Sequence, residues 1–394
     1  MKLKTACCVV LVLSLSSMLA AQGVTRCGGP NTALYINAPV FHFDVCHTGY
    51  NPYGHILSAS NVGNLGFDWG FTVGDRPYGI FSSAAVVNGV VYIGAGNNNT
   101  MYALDADYGS FVWQYPTSGE VSSSPAVDRG MVYFGSGDHN LYALGAADGR
   151  LVWKYSTIAP VLESPTVVNG TVYFTSEDGS AYALKAATGA LLWKYTTGAS
   201  YVRSSPAVVN GVVYFGATDH YVYALNAVTG APVWKQDAGD QISQSSPAVF
   251  HGVVYIGVGV SSGSLIALDA VTGQHIWSYP FASPADSSPA IANGIVYLAP
   301  SQDSLYAIDA AAGTLLWKTA AVGWGGSPTV AKGVVYQGSP SLLYAFDAAN
   351  GAMLWNSGVP GKGTYSTPTV VNGLMYIGTI DWPNNVKAYH LALR

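Results

Sequence analysis

The chain has 394 residues, of which 49% are hydrophobic and only 9% are charged. This composition excludes an intrinsically disordered protein, because such chains are poor in apolar residues and rich in charge. The formal net charge is −5 and the basic side chains are not clustered, which argues against nucleic acid as a partner. A chain of this length would ordinarily form two or three domains, unless internal repeats build it.

Residues 1–21 have the pattern of a secretory signal peptide. Lys2 and Lys4 precede a short apolar run, and small residues follow up to Ala21. A basic start, an apolar core and a small-residue cleavage site are typical of such signals. The run is too short for a typical membrane span, although an uncleaved anchor is the alternative. We therefore expect a periplasmic or secreted protein that has no transmembrane span after cleavage.

Residues 22–64 are predicted to form an N-terminal segment that carries the two remaining cysteines, Cys27 and Cys46. An even pair in an exported chain favours one disulfide. Closing a loop of about 20 residues would stabilise the fold by roughly 3 kcal/mol. The alternatives are two free thiols or lipidation at Cys27, where Arg26 is a poor match to the small residue that usually comes before the modified cysteine.

From residue 65 onward the chain repeats itself about every 40 residues. An alanine, a glycine and a tryptophan recur at fixed spacing, and the tryptophan follows the alanine by ten residues. The seven copies end at Trp113, Trp153, Trp193, Trp234, Trp277, Trp317 and Trp355. A second phrase, such as residues 204–216, lies upstream of each copy and occurs eight times. A period of this length indicates a solenoid, an array or a propeller.

Each repeat is predicted to form four β-strands. In residues 203–236, short runs rich in Val, Tyr and Phe alternate with turns that contain Asn, Gly or Pro, which is typical of strands. Asn210-Gly211 predicts a two-residue hairpin between the first two strands. The glycine of the last, longer hairpin supplies the positive φ that such a turn needs. No segment shows a sustained helical period.

The last repeat ends after three predicted strands, because the chain stops at Arg394. An unpaired strand that contains Trp69, residues 65–71, precedes the first complete repeat. Pairing this strand with the last three would complete a blade and leave no free sheet edge. We therefore predict an all-β fold for residues 65–394, an eight-bladed β-propeller with four-stranded antiparallel blades whose last blade is closed by an N-terminal strand.

The tryptophans are predicted to hold neighbouring blades together. An indole on the outer strand would fill the wide part of the wedge between two sheets, and the small alanine would let the backbone approach it. Burying one tryptophan removes up to about 250 Å² from water, which is worth roughly 6 kcal/mol as an upper bound. This role is assigned to Trp69, Trp113, Trp153, Trp193, Trp234, Trp277, Trp317 and Trp355.

The phrase Ala-x-Asp-x-x-x-Gly-x-x-x-Trp, as in residues 267–277, resembles the tryptophan-docking motif of quinoprotein dehydrogenase propellers. The fuller unit, from Ser246-Pro-Ala-Val to Trp277, resembles pyrroloquinoline-quinone-like (PQQ-like) propeller repeats, as does the opening segment from Gly49 to Trp69. The resemblance covers roughly residues 47–394. The family includes alcohol and sugar dehydrogenases and also non-catalytic scaffolds, among them the outer-membrane assembly lipoprotein propeller.

The resemblance implies two alternative functions. The dehydrogenases hold the quinone with a vicinal disulfide and with Ca²⁺ carried by Glu, Asn and Asp, and they use a catalytic Asp. Here the only adjacent cysteines, Cys7 and Cys8, lie in the predicted signal peptide. We therefore expect an exported, non-catalytic binding or scaffold protein with no cofactor and no catalytic or metal-binding residues. The alternative is a dehydrogenase of alcohols or sugars that uses PQQ with Ca²⁺.

The loops on one face of the propeller form a rim that we predict to bind a protein or a small-molecule ligand. The protein itself is expected to be a monomer. The loops before the innermost strands share a propeller face with the loops between the second and third strands. Positions that depart from the repeat there are where we expect function to have been added, and exposed aromatics with polar neighbours suit a ligand site. These departures are Glu163, Arg203, Gln244, Asp286, Trp324, Tyr365 and Trp382. Ordinary loop packing is the alternative role.

Overall fold

A computed structural model describes residues 38, 40–53, 56–73, 79–319, 326–358, 363–380 and 385–391. These residues form eight β-sheets, each built around a four-stranded antiparallel meander. The first strand of each sheet contacts the first strand of the next, and the eighth contacts the first, so that the sheets close into a ring. The prediction of an eight-bladed β-propeller is therefore confirmed.

Each blade runs outward from the central channel. The innermost strands are Ala85–Val87, Ala126–Asp128, Thr166–Val168, Ala207–Val209, Ala248–Phe250, Ala290–Ala292, Thr329–Ala331 and Thr369–Val371. The second strands are Val90–Ala95, Met131–Ser136, Thr171–Ser176, Val212–Gly216, Val253–Val258, Ile295–Leu298, Val334–Gly338 and Leu374–Gly378.

The third strands are Thr100–Asp105, Asn140–Gly145, Ser180–Lys185, Tyr221–Asn226, Gly263–Asp269, Tyr306–Asp309, Leu343–Asp347 and Val386–Leu391. The outer strands are Phe111–Pro116, Leu151–Ser156, Leu191–Thr196, Pro232–Asp237, His275–Phe281, Leu315–Lys318, Met353–Asn356 and Leu65–Phe71. The described helical turns are the short 3-10 segments Val62–Asn64 and Gly96–Asn98. Within the described residues, no helix has the length and apolar character needed to span a membrane.

The ring is closed by a strand from the amino-terminal side. Leu65–Phe71 pairs antiparallel with Val386–Leu391, and Trp69 lies opposite Ala388. The indole N–H of Trp69 donates a hydrogen bond of 3.0 Å to a carbonyl of the first blade. On the other side, Trp355 of the seventh blade donates to the Leu65 carbonyl at 3.0 Å. The added strand is therefore tied to both neighbouring blades.

The Ala–Gly–Trp spacing is explained by the contact between adjacent blades. The Nε1–H of each outer-strand tryptophan donates to a carbonyl of the next blade, and for Trp234 the acceptor is Ala270 at 3.0 Å. A glycine of the same turn, Gly273, has φ of +74°, and a Cβ there would lie 2.7 Å from the Trp234 ring. The other tryptophans that make this hydrogen bond are Trp69, Trp113, Trp153, Trp193, Trp277, Trp317 and Trp355.

The small side chain of the repeated alanine leaves room for a tyrosine ring beside the tryptophan ring, in addition to letting the backbone approach. Ala267 lies between Tyr255 and Trp277 on neighbouring strands. Because its side chain is small, the tyrosine and tryptophan rings meet with centroids 5.8 Å apart. Both then donate to the Ala310 carbonyl of the next blade, each at 3.0 Å. Tyr336 departs from this pattern, since its buried hydroxyl has no hydrogen-bond partner among the described residues.

A ring of hydroxyl groups joins the innermost loops. The residue before each repeated proline position donates its backbone N–H to the side-chain oxygen of the equivalent residue in the next blade. For example, Ser205 donates to Ser246 at 2.9 Å, and the ring closes where Thr367 donates to Ser83 at 3.0 Å. Its eight members are Ser83, Ser124, Ser164, Ser205, Ser246, Ser288, Ser327 and Thr367.

Residues 40–51 form a plug in the central channel. Innermost strands donate backbone hydrogen bonds to it, as from Val208 to Val45 at 2.8 Å and from Ile291 to Thr48 at 2.6 Å. At its end, Tyr50–Asn51 pairs parallel with Thr329–Ala331 of the seventh blade. These bonds satisfy backbone groups of the innermost strands that would otherwise line an open channel.

The plug carries buried polar residues that are neutral or hydrogen-bonded. Burial lowers the pKa of His42 to about 4 and that of His47 to about 3, so both imidazoles are neutral at pH 7. Cys46 is completely buried. Its predicted partner Cys27 lies outside the described residues, as does the predicted signal peptide at residues 1–21, so the disulfide and the signal stay predictions.

The glycine contact with the indole is testable with two glycines of the same blade. Gly273 and Gly252 have φ of +74° and +81°, but a Cβ on Gly252 meets no atom within 4 Å. Replacing either with alanine costs about 1–2 kcal/mol for the left-handed backbone. Gly273→Ala should lose about 1–3 kcal/mol more because of the overlap with Trp234. Chemical denaturation measures both losses, and equal losses would contradict the docking role.

The hydroxyl ring is testable at Thr367, whose side-chain oxygen accepts the Ser327 N–H at 3.2 Å. Thr367→Val keeps the shape and removes the acceptor, so a buried N–H loses its partner at a cost of about 1–3 kcal/mol. Thr367→Ser keeps the acceptor and is the matched control. Denaturation curves should place the valine variant well below the serine variant. The reverse order would show that packing of the methyl group, and not the hydrogen bond, matters there.

Candidate functional site

The innermost loops surround a cavity at one mouth of the channel, with a volume of about 670 Å³. We call it the mouth cavity. Phe41 of the plug is among its lining residues, so the plug closes it on the channel side. The volume lies within the range of about 300–1,000 Å³ that is typical of ligand sites. The lining residues that depart from the repeat are Phe81, Leu162, Glu163, Arg203, Gln244, Asp286 and Tyr365.

Five of the predicted rim residues are brought together in this one cavity: Glu163, Arg203, Gln244, Asp286 and Tyr365. They come from the third, fourth, fifth, sixth and eighth blades, and the loop before each innermost strand positions them. Trp324 and Trp382 lie outside the described residues. Their place on the rim therefore stays a prediction.

Arg203 is held by a residue that the sequence analysis did not identify. Its Nε donates to the Glu177 carboxylate at 2.6 Å, and its guanidinium lies over the Tyr201 ring, 5.0 Å from the centroid. Glu177 lies in the turn between the second and third strands of the third blade. That loop belongs to the predicted rim, but only the folded chain reveals which of its residues faces Arg203.

Glu163 occupies a position that is structural in most blades. Two residues before the repeated proline, a serine hydroxyl accepts a backbone N–H at or next to the end of the second strand, as Ser204 does from Gly216 at 3.0 Å. The serines with this bond are Ser82, Ser123, Ser204, Ser245, Ser287 and Ser366. In the blade of Glu163, the Thr175 hydroxyl instead donates to the Ser204 carbonyl at 2.9 Å. In the third blade, a carboxyl group that lines the cavity therefore stands where most other blades have a structural serine.

The hydrogen bonding of the Glu163 carboxyl group only weakly offsets the cost of its burial. Its hydrogen bond comes from the Ser205 hydroxyl and is long, at 3.4 Å. Burial raises the pKa of Glu163 to about 7; the nearby Glu177 carboxylate adds to the rise, whereas Arg203 and the Ser205 bond oppose it. Glu163 therefore changes charge near neutral pH.

The other lining groups offer an ordered polar side and an aromatic side. Asp286 accepts hydroxyl hydrogen bonds on both oxygens, from Ser301 at 3.0 Å and from Ser243 at 2.5 Å. Phe81 and Tyr365 stack with centroids 5.4 Å apart and an interplanar angle of 19°. Phe81 remains 46% exposed. The cavity can therefore recognise a ligand with both polar and apolar parts.

The residues present do not fit PQQ with Ca²⁺. PQQ is a flat tricarboxylate, and its charges need cationic partners. Among the described lining residues, Glu120, Glu163 and Asp286 face a single guanidinium, that of Arg203, which is already paired with Glu177. In the part of the chain that the structure describes, no three His, Cys, Asp or Glu side chains are grouped to hold a metal ion.

Comparison with known proteins agrees with the repeat architecture. A family profile described as outer membrane protein assembly factor BamB matches residues 67–217, 218–323 and 301–389. No curated protein matches the sequence significantly.

Solved structures with this architecture have low sequence identity to the chain. BamB from Moraxella catarrhalis is 18% identical with a TM-score of 0.68, and the match covers 84% of this chain and 98% of that one. Quinohemoprotein alcohol dehydrogenase from Comamonas testosteroni is 18% identical with a TM-score of 0.77, over 91% of this chain and 81% of that one. The computationally designed Ika8 protein is 16% identical with a TM-score of 0.70, over 82% of this chain and all of its own.

These structural likenesses show the fold alone, whereas the family profile spans most of the sequence. Together with the eight indole hydrogen bonds between neighbouring blades and the closed ring of blades, the profile match establishes the family. The chain belongs to the PQQ-like β-propeller family.

Proposed function

We propose that the protein is an exported, non-catalytic binding propeller that captures a partner protein or another ligand in its mouth cavity. The single observation that carries this proposal is the convergence of the rim departures. Residues that break the repeat in five different blades line one cavity, whereas the neighbouring hydroxyl ring is kept in all eight blades.

The size and lining of the cavity suit binding better than chemistry. A volume of about 670 Å³ accommodates a few side chains, so a protein partner would insert the tip of a loop or an extended segment. The described lining contains no histidine, cysteine or lysine, the side chains that most often act as base or activated nucleophile. The family profile carries the description of an assembly factor, which supports a role in holding partners.

Export is part of the proposal. The basic and apolar start of the chain, with Ala21 at the expected cleavage site, supports a periplasmic or secreted protein. In that compartment Cys27 and Cys46 would form a disulfide. The docked tryptophans act between blades of one chain, and we propose a monomer.

A quinone-dependent dehydrogenase is the second candidate, because one structural neighbour is named a quinohemoprotein alcohol dehydrogenase. Titration of the purified protein with PQQ and Ca²⁺, followed by a dye-linked assay with alcohols and sugars, separates the two. We expect neither saturable quinone binding nor turnover, because the acidic lining would repel a tricarboxylate. Turnover that depends on added PQQ would contradict the binding proposal and show that the protein is a dehydrogenase.

A substitution that fills the mouth cavity without removing a packed side chain tests directly whether the partner binds there. Gln244 is an exposed lining residue, so Gln244→Trp adds a bulky ring in the cavity. Val228→Trp adds the same ring to an outer hairpin, where Val228 is 78% exposed. We expect capture of a partner from an envelope extract to fall at least about tenfold for Gln244→Trp alone, the equivalent of about 1.4 kcal/mol.

Thermal melting should be nearly unchanged for both tryptophan variants, since neither removes a packed side chain. Quantified pull-downs followed by titration with the recovered partner measure the difference. Equal capture by the two variants would place the binding surface elsewhere on the propeller.

A further inference from the structure

We infer that the mouth cavity is selective for a positively charged group, the ammonium or guanidinium of a lysine or arginine side chain presented by an extended segment. This inference rests on the proposed function, since it names the chemistry of the occupant of the same cavity. The residue that we expect to determine the selectivity is Glu163.

The charged groups of the lining include more carboxyl groups than cations. Glu120, Glu163 and Asp286 line the cavity with Arg203. The Nε of Arg203 is committed to Glu177, at 2.6 Å. Arg203 also acts electrostatically on the Glu163 carboxyl, but its short hydrogen bond goes to Glu177. A cation from a ligand would supply the missing counter-charge.

The carboxyl groups of the lining differ in how well they are hydrogen-bonded. Both oxygens of Asp286 accept serine hydroxyls, and Glu120 accepts the Ser122 hydroxyl at 3.2 Å. Among the described residues, the bond to Glu163 is the long one of 3.4 Å from Ser205. Charge-assisted N–H···O bonds are shorter, about 2.7–2.9 Å, and roughly twice as strong as neutral ones. An ammonium or guanidinium N–H would therefore find its best unused acceptor at Glu163.

The apolar part of the lining suits the stem of a lysine or arginine side chain. The stacked pair of Phe81 and Tyr365 and the side chain of Leu162 line the same cavity. Lysine and arginine carry apolar stems that pack on such surfaces while their charged ends reach polar groups. Aromatic faces also attract cations directly. An acidic segment would gain the apolar contact but would place its charge among carboxylates.

Binding of a cation should be linked to proton release. Glu163 faces the charged groups of Arg203 and Glu177, and its pKa of about 7 leaves it partly protonated at neutral pH. A cation favours the ionised carboxylate, so bound ligand lowers this pKa and affinity falls as pH drops through 7. If only the ionised form binds, affinity at pH 8 exceeds that at pH 6 by about tenfold.

The test uses three capped tripeptides as probes, with lysine, norleucine or glutamate at the centre between glycines. Calorimetric or NMR titration of the full exported chain should give the strongest binding for the lysine peptide. The norleucine peptide keeps the apolar stem and should bind at least about fivefold more weakly, a loss of about 1 kcal/mol. The lysine peptide alone should gain affinity between pH 6 and pH 8.

Glu163→Gln keeps the size of the side chain and removes its charge. We expect it to abolish both the preference for lysine and the pH dependence. Asp148→Asn is the matched control, because Asp148 is an exposed carboxylate paired with Arg150 on an outer hairpin. That variant should bind like the original chain.

Equal affinities for the three peptides, no lysine binding, or lysine binding unchanged in Glu163→Gln would overturn the inference. The proposed function would survive any of these results as long as Gln244→Trp still blocks capture of a partner. Should Glu163→Gln fail to fold, the pH profile of the original chain decides, since a flat profile between pH 6 and pH 8 contradicts the role of Glu163.

Discussion

The fold depends on one contact repeated around a circle, in which an indole from each blade docks on the next blade. The N–H of the indole meets a carbonyl, as Trp234 meets Ala270, and in seven of the blades a positive-φ glycine lies against the ring face. Linear repeat proteins leave terminal units with only one neighbour. Here Leu65–Phe71 joins the last blade, so every described blade has a neighbour on both sides.

Because the blades repeat so regularly, the few side chains that depart from the repeat identify the candidate binding site. The hydroxyl ring fixes the innermost loops at one radius, because each loop is bonded to the next through its backbone N–H. Side chains next to the ring can then vary without disturbing the fold. Glu163 illustrates this, since the third blade lacks the serine found there in six others and Thr175 supplies a different bond. The backbone of these loops is therefore held in place, while their side chains differ from blade to blade.

The sequence predicts much of the fold because its signals are local. Asn210 and Gly211 adopt φ of 49° and 78°, as a two-residue hairpin requires, and the position of Trp69 predicts ring closure. The plug was not predicted, since residues 40–51 lack the repeat and bind through backbone groups of residues more than 150 positions away, such as Val208. Glu177 was missed for a similar reason, because its bond to Arg203 joins two blades.

The most direct test of the account is a footprint of the complex with a captured partner. Hydroxyl-radical labelling reports the exposure of aromatic side chains, and Phe81 and Tyr108 are 46% and 80% exposed in the free chain. Phe81 lines the mouth cavity, whereas Tyr108 lies on an outer hairpin. We expect the partner to protect Phe81 and Tyr365 and to leave Tyr108 fully labelled. Protection of Tyr108 with unchanged labelling of Phe81 and Tyr365 would contradict it.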